Sequence, residues 1–430
     1  MQTKPSKFWA YTAVLTGIFL ILSGLAAAVG YLGLPAILPF KDALSYELGN
    51  IAALYVGLFG GALAIYHGIK SINGQPSSII KLPAFYFFWI ILALVLGFGN
   101  LIINIDIASD YLFPPIFVLG AALSTLAVLA WAYRAMGFPI TWRQAALAFV
   151  CGSTLAIVVA IILESTLPYL VYLLISPLGY LADEFSSIGW GAPGIIERLF
   201  ASPLLLVYLI FTAFEAPLPE EFAKALSIPM FGKNRIANER QAFAMGLASG
   251  AGFAILENML YEGLYAQHNG WTWGGITLLR SIGSVMHPLG TGIIALGWFR
   301  MKQGGGAGAL FKAYLLSVGL HTLWNGGFEP LVYFTGLEYF TDQSISLSFY
   351  GETINLLLIG YLILLSIGLW ILLRRIVNGI SEHVAFDPTP VAVSRRLIAV
   401  WAVACTAVII PIGAALSPAW NSIRILILGE

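Results

Sequence analysis

Residues 84–104, AFYFFWIILALVLGFGNLIIN, run the length of a bilayer crossing without one charged side chain. A crossing takes about 20 apolar helical residues, because lipid offers no partner for the backbone and a helix satisfies its own N–H and C=O groups. The whole chain follows the same rule. Of its 430 residues 59% are hydrophobic and 10% are charged, with a mean hydropathy of +0.87. This is the composition of a polytopic membrane protein. The net charge is zero, so nothing in the total points to nucleic acid. Cys151 and Cys405 are far apart in apolar segments and make neither a disulfide framework nor a thiolate metal motif.

The same ruler marks eleven spans, near 8–33, 50–68, 84–104, 114–133, 145–163, 199–231, 241–266, 276–299, 309–333, 353–373 and 397–416. The expected fold is therefore an all-α membrane helix bundle. The apolar run from Phe8 to Leu38 is too long for a cleaved signal and reads as a retained anchor. Successive loops alternate in charge. One set carries Lys4, Lys70, Arg134, Arg235, Arg300 and Arg374; the other carries Asp42, Asp106, Asp183 and Glu338. Cationic loops mark the cytoplasmic side, which puts the N-terminus inside and the C-terminus outside.

Two stretches depart from simple crossings. Residues 164–198 read as an outer interfacial helix or as two half-spans. Residues 199–231 are longer than a crossing needs and are interrupted by Pro217 and Pro219. Proline is tolerated in the first turn of a helix, so a new helix is expected to open there, with Glu220 and Glu221 at its start. The glycine cluster at 304–308 reads as a turn.

Polar residues are not spread evenly over these spans. The first five hold almost nothing ionisable in their central parts. The next four hold Glu220, Glu221, Lys224, Glu257, Asn258, His287, His321 and Asn325. Ionisable groups at membrane depth are costly and face a bundle interior or a cavity, so each is a functional candidate. With a rise of about 1.5 Å per residue from the basic end of each span, Glu220, His287 and His321 fall roughly 18–20 Å up and Glu257 about 24 Å, within one layer. Lys224 lies three and four residues from the two glutamates and can partner either. Gly246, Gly250, Phe253 and Glu257 share one stripe, on which small residues admit a neighbouring helix.

Two carboxylates forced together in a low dielectric resist ionising together, and such a pair can activate water and return a proton. His321 and Asn325, one turn apart, are candidates to stabilise the oxyanion of a peptide-bond hydrolysis. Glu257 is placed to share in activating water or to orient the pair, with Lys224 as counter-charge and His287 and Asn258 in support.

The strings EEFAK (220–224), FAILENMLY (253–261), MHPLGTGIIALGWFR (286–300) and HTLWN (321–325), in this order over about residues 205–335, resemble the PrsW-type intramembrane proteases. That family is related to the CAAX-processing and bacteriocin-processing membrane proteases. The resemblance implies a metal-independent glutamic endopeptidase, without a cofactor, that cuts a membrane-anchored protein such as a membrane regulator. It also implies a bacterial-type or archaeal-type plasma membrane. By the same resemblance Glu220 and Glu221 are the essential glutamates, Glu257 stands where the wider group has a histidine, and His321 with Asn325 forms the last motif. The organisation it suggests is an N-terminal membrane region of about five helices (1–195) without an assigned role, a catalytic four-helix core (199–335) and two C-terminal membrane helices (336–430).

Each residue also has a structural reading. The glutamate pair could be neutralised by Lys224 or welcomed by a helix N-terminus; Glu257 and Asn258 could serve helix packing; His287, before Pro288, could satisfy a carbonyl freed by a kink. Arg280 reads as interfacial or ion-paired rather than catalytic. Two other functions compete. A zinc metalloprotease would use the same glutamates and histidines, although no His-Glu-x-x-His is present and Lys224 disfavours a cation. A proton-coupled transporter would also bury carboxylates and histidines, but no inverted repeat is evident.

Overall fold

The computed structural model describes residues 77–103, 105–157, 159–164, 213–231, 236–266, 270–327, 346–349 and 352–381, with scattered positions between 14 and 75 and at 166–167. In chain order the long elements are α1 (Phe85–Ile102), α2 (Asp106–Ala135), α3 (Trp142–Cys151), α4 (Pro217–Ala225), α5 (Ser227–Phe231), α6 (Glu239–Ala266), α7 (Gly270–Ile282), α8 (Met286–Arg300) and α9 (Gly306–Gly326). A hairpin of β1 (Ser346–Phe349) and β2 (Glu352–Asn355) follows, and then α10 (Leu356–Ser381). Among the described residues six helical stretches are long and apolar enough to cross a membrane: Phe85–Ile102, Leu112–Ala135, Trp142–Glu164, Glu239–Gly263, Trp273–Gly326 and Leu356–Ile380.

The local starts and stops follow from sequence. Thr141 caps α3 through a capping box, accepting from the Gln144 backbone N–H while the Gln144 side chain accepts from the Thr141 N–H. A π-helical turn, Gly152–Ala156, continues α3. Pro217 opens α4 in its first turn, as the sequence suggests, where a missing N–H costs nothing. Gly304 and Gly306, with φ of +105° and +69°, turn the chain from α8 into α9 within the expected glycine cluster.

Burial identifies the central helices. Of the apolar window in Glu239–Gly263 89% is buried, and in Trp273–Gly326 94%, against 17% in Phe85–Ile102 and 22% in Leu356–Ile380. Thus α6 and α8, in which every residue from Met286 to Phe299 is buried, form the centre, whereas α9 buries only Ser317, Val318 and His321, and α1 and α10 turn most of their surface outward. Glycines bring these helices to backbone contact. A Cβ on Gly246 would lie 2.6 Å from the Thr291 carbonyl, and one on Gly250 would strike the His287 carbonyl, so α6 and α8 touch along the predicted stripe. In the same way Gly152 abuts the Ser249 carbonyl and Gly252 the Phe149 carbonyl, joining α3 to α6.

Two expectations need correction. The eighth span, 276–299, is two helices, because the chain unwinds over Gly283–Val285 between α7 and α8. The fold is helical, as expected, with one short hairpin among the described residues: residues 346–349 and 352–355 pair antiparallel, with Ser346 opposite Asn355, so the tenth span starts as a strand and becomes a helix only at Leu356. The spans 8–33 and 397–416, the region 164–198 and the first part of 199–231 lie largely outside the described residues, and with them the number eleven and the orientation.

Candidate functional site

The first turn of α4 points inward. Glu220, Glu221 and Lys224 are all buried, Glu221 and Lys224 completely. A lysine ammonium in such a place needs acceptors on every side. It has two hydrogen-bond acceptors, Glu221 Oε1 and His287 Nδ1, each at 2.7 Å, and an ion-pair contact with Glu220 Oε2 at 2.9 Å. The Phe253 ring lies beneath it, 4.3 Å from Nζ. The ammonium thus joins α4, α6 and α8 at one point.

Glu221 is saturated. Its Oε1 also meets His321 Nδ1 at 2.9 Å, and its Oε2 accepts from the Ser317 hydroxyl at 2.6 Å, so both α9 side chains close on it. Gly290 makes room: a Cβ there would lie 2.9 Å from Glu221 Oε2. Glu220 is different. Its Oε2 has the lysine nearby but no hydrogen bond of good geometry, and His321 Nε2, 3.7 Å away, has no hydrogen-bonding partner either among the described residues. These two atoms, neither with a hydrogen bond among the described residues, face each other.

His287, the first-turn residue of α8, is held from the opposite side. Its Nε2 lies 2.6 Å from Glu257 Oε2, and since Nδ1 accepts from Lys224, the proton sits on Nε2 and is donated to Glu257. Arg280 of α7 clamps the same carboxylate at 2.7 Å and gives its Nε–H to Asn258 Oδ1, also at 2.7 Å. Asn258 in turn donates to the Ala121 carbonyl of α2. The His287 and His321 rings meet edge to face, 4.9 Å between centroids.

The structure thus brings Glu220, Glu221, Lys224, Glu257, His287 and His321 into one connected set, with Asn258 at its edge. Asn325 is not part of it. It is exposed at the end of α9 and makes no hydrogen bond to the set among the described residues. The i, i+4 spacing from His321 suggested a shared direction, but the last turn carries Asn325 out of the buried face. Three further members were not among the candidate site residues read from the sequence. Ser317, four residues before His321, is a neutral residue in an apolar helix and gave no signal. Arg280 belongs to the set as the partner of Glu257, the ion-paired role that its sequence position suggested. Glu164 lies near enough to the Glu220 carboxyl to interact with it.

The donors also fit a divalent metal. One ligand atom from each of Glu220, His287 and His321 falls within 4.8 Å of the others, and all three residues are buried. Each histidine keeps one nitrogen on a carboxylate, Glu257 or Glu221, and turns the other inward, as in sites where outer carboxylates orient metal-binding imidazoles. Two histidines and a glutamate are a recognised zinc set. In this arrangement the Lys224 ammonium lies against two of the three ligand residues, so it and a metal ion would compete for one place.

Residues 140–345 match the family model described as PrsW family intramembrane metalloprotease. The match begins well before the motif region, at 140, and so takes in α3, which packs against α6. No curated protein and no solved structure matches the chain.

Proposed function

We propose that this chain, whose residues 140–345 match the PrsW-family model, is an intramembrane endopeptidase in which Glu220 activates water to hydrolyse a peptide bond of a membrane-associated protein. The observation that carries this reading is a pair of buried atoms without a hydrogen bond among the described residues, Glu220 Oε2, which has only its ion pair with Lys224, and His321 Nε2, 3.7 Å apart. With Nδ1–H given to Glu221, neutral His321 presents a lone pair at Nε2. Two acceptors side by side hold both hydrogens of one water and leave its lone pair turned outward.

In the proposed reaction Glu220 takes a proton from this water as its oxygen adds to the carbonyl carbon. The C=O electrons move onto oxygen, where the Lys224 charge offsets them, while His321 Nε2 keeps accepting the hydrogen that remains on the attacking oxygen. The proton on Glu220 then passes to the leaving nitrogen, the C–N bond breaks, and a carboxyl and an amine separate with Glu220 again a carboxylate. Glu221 takes no proton in this scheme. It holds His321, Ser317 and Lys224 in place, which makes it a positioning residue. Glu257 and Arg280 do the same for His287. The test is cleavage of a verified single-span substrate by the purified protein in lipid: Glu220→Gln should be inactive, and full activity in that variant would end the proposal.

A metal-dependent reading is favoured by one observation, the convergence of Glu220, His287 and His321. A zinc ion held there would polarise the carbonyl and acidify its bound water. Metal content of the purified protein separates the two. Bound zinc in equal amount to protein, lost together with activity on chelation and restored with it, would favour the ion over the lysine.

A further inference from the structure

A second polar space adjoins the site and is not used by the reaction above. At the unwound turn Gly283–Val285 a small cavity opens, lined by Thr125, Asn258, Arg280, Ser284, His287 and Trp324. Its walls come from α2, α6, the α7–α8 break and α9. Within a membrane, irregular backbone is tolerated where it is covered by protein or lines a water-filled space. Thr125 and Ser284 are 0% and 3% exposed, yet neither hydroxyl has a hydrogen-bonding partner among the described residues. A buried hydroxyl without a partner is costly, and a cavity of this size, polar and with several donors, suits about one water.

We infer that this cavity is an internal hydration site, which keeps water beside His287 inside the bilayer and passes it to the glutamate cluster. Thr125, Ser284 and the Arg280 guanidinium are its hydrogen-bonding walls, and Ala254 and Met286 its apolar ones. The reason for such a site is the reaction itself: each hydrolysis consumes one water at a place where lipid supplies none. The supply role rests on the hydrolytic reading; the presence of water does not.

Radiolytic hydroxyl-radical footprinting of the full chain in lipid nanodiscs tests both parts, since radicals formed from bound water oxidise the side chains next to it. Met286 is 3% exposed and lines the cavity, whereas Met245 is 0% exposed and lies outside it. Phe253 is 2% exposed and packs on Lys224 and His287, so it reports water at the cluster. Met286 should oxidise several-fold faster than Met245, and Phe253 should be labelled as well. Filling the cavity by Ala254→Leu should bring Met286 down to the Met245 rate and remove the Phe253 label. Where that variant does not fold, the double variant Thr125→Val, Ser284→Ala gives the same comparison by removing the polar walls. Equal rates for Met286 and Met245 in the unaltered chain would mean a dry cavity. Phe253 still labelled after Met286 has fallen silent would mean that water reaches the cluster by another way. Neither result depends on proteolytic activity, so a failure here is distinct from a failure of the protease reading.

Discussion

Glu220 Oε2 and His321 Nε2 stand 3.7 Å apart, each buried and each without a hydrogen bond. Elsewhere in the cluster the polar atoms are engaged, so these two mark where an outside atom would be received. Glu220→Gln keeps the shape of the side chain and removes its basicity. We expect turnover to fall by about 100- to 10,000-fold, the range for losing a general base. His321→Ala should fall at least as far as Arg280→Ala does. Cleavage rates of one reporter by all three variants decide the order, and a greater loss at Arg280 would move the reaction centre.

The adjacent glutamates are predicted to differ in kind. Glu221 is 0% exposed and meets Lys224, Ser317 and His321, whereas Glu220 is the less engaged of the two. Removing one partner of a buried pair leaves an uncompensated charge, at a cost of about 3–5 kcal/mol. Glu221→Gln should therefore lower thermal stability in detergent as well as activity, and Glu220→Gln should lower activity with much less effect on stability. Equal melting temperatures for the two variants would contradict the division of roles.

Arg280 acts at one remove, through Glu257 to His287. Arg280→Ala should reduce kcat with little change in KM, because the substrate does not meet the guanidinium. Arg280→Lys can keep the ion pair with Glu257 but cannot also reach Asn258 with a planar fork, so it should restore part of the loss. A rise in KM alone would place Arg280 in substrate binding instead.

How much of this was legible in the sequence depended on the kind of signal. Charged residues in apolar helices are conspicuous, and Glu220, Glu221, Lys224, Glu257, His287 and His321 could be read as one group because each is costly where it stands. The glycine stripe on α6 was equally plain, since Gly246 and Gly250 repeat at helical spacing. What the pattern did not carry was direction at helix ends and breaks. Asn325 shares its spacing with His321, but its side chain is exposed. The break at Gly283–Val285 has no proline inside it, and the apolar run continues through it, so hydropathy gave one helix where packing makes two. Ser317 was invisible for the opposite reason: one hydroxyl in a membrane helix is common, and only the nearby carboxylate gives it a role.

The position of Asn325 yields a prediction against its motif. A side chain that is exposed and makes no hydrogen bond to the cluster among the described residues does not hold the oxyanion in this arrangement. Asn325→Ala should leave cleavage within about twofold, since an exposed substitution changes stability by roughly 0.5 kcal/mol or less. A loss comparable to that of His321→Ala would show that α9 turns further inward when substrate binds.

The final prediction concerns the backbone contact that sets the position of His287. A Cβ at Gly250 would strike the His287 carbonyl and lie 2.8 Å from Pro288 Cα, and neither obstacle is a flexible side chain. Gly250→Ala must therefore push α6 from α8. Overpacking of this kind costs about 1–3 kcal/mol. It should also draw His287 away from Lys224 and Glu257, whose contacts of 2.7 and 2.6 Å leave little tolerance. Gly319 on α9 is the internal comparison, since a Cβ there meets nothing within 4 Å. Gly319→Ala should be neutral or stabilise by about 0.5–1 kcal/mol, as alanine replaces glycine within a helix. Thermal unfolding and reporter cleavage measured on both variants test the contact, and a Gly250→Ala protein as stable and active as Gly319→Ala would mean that the two helices do not meet there.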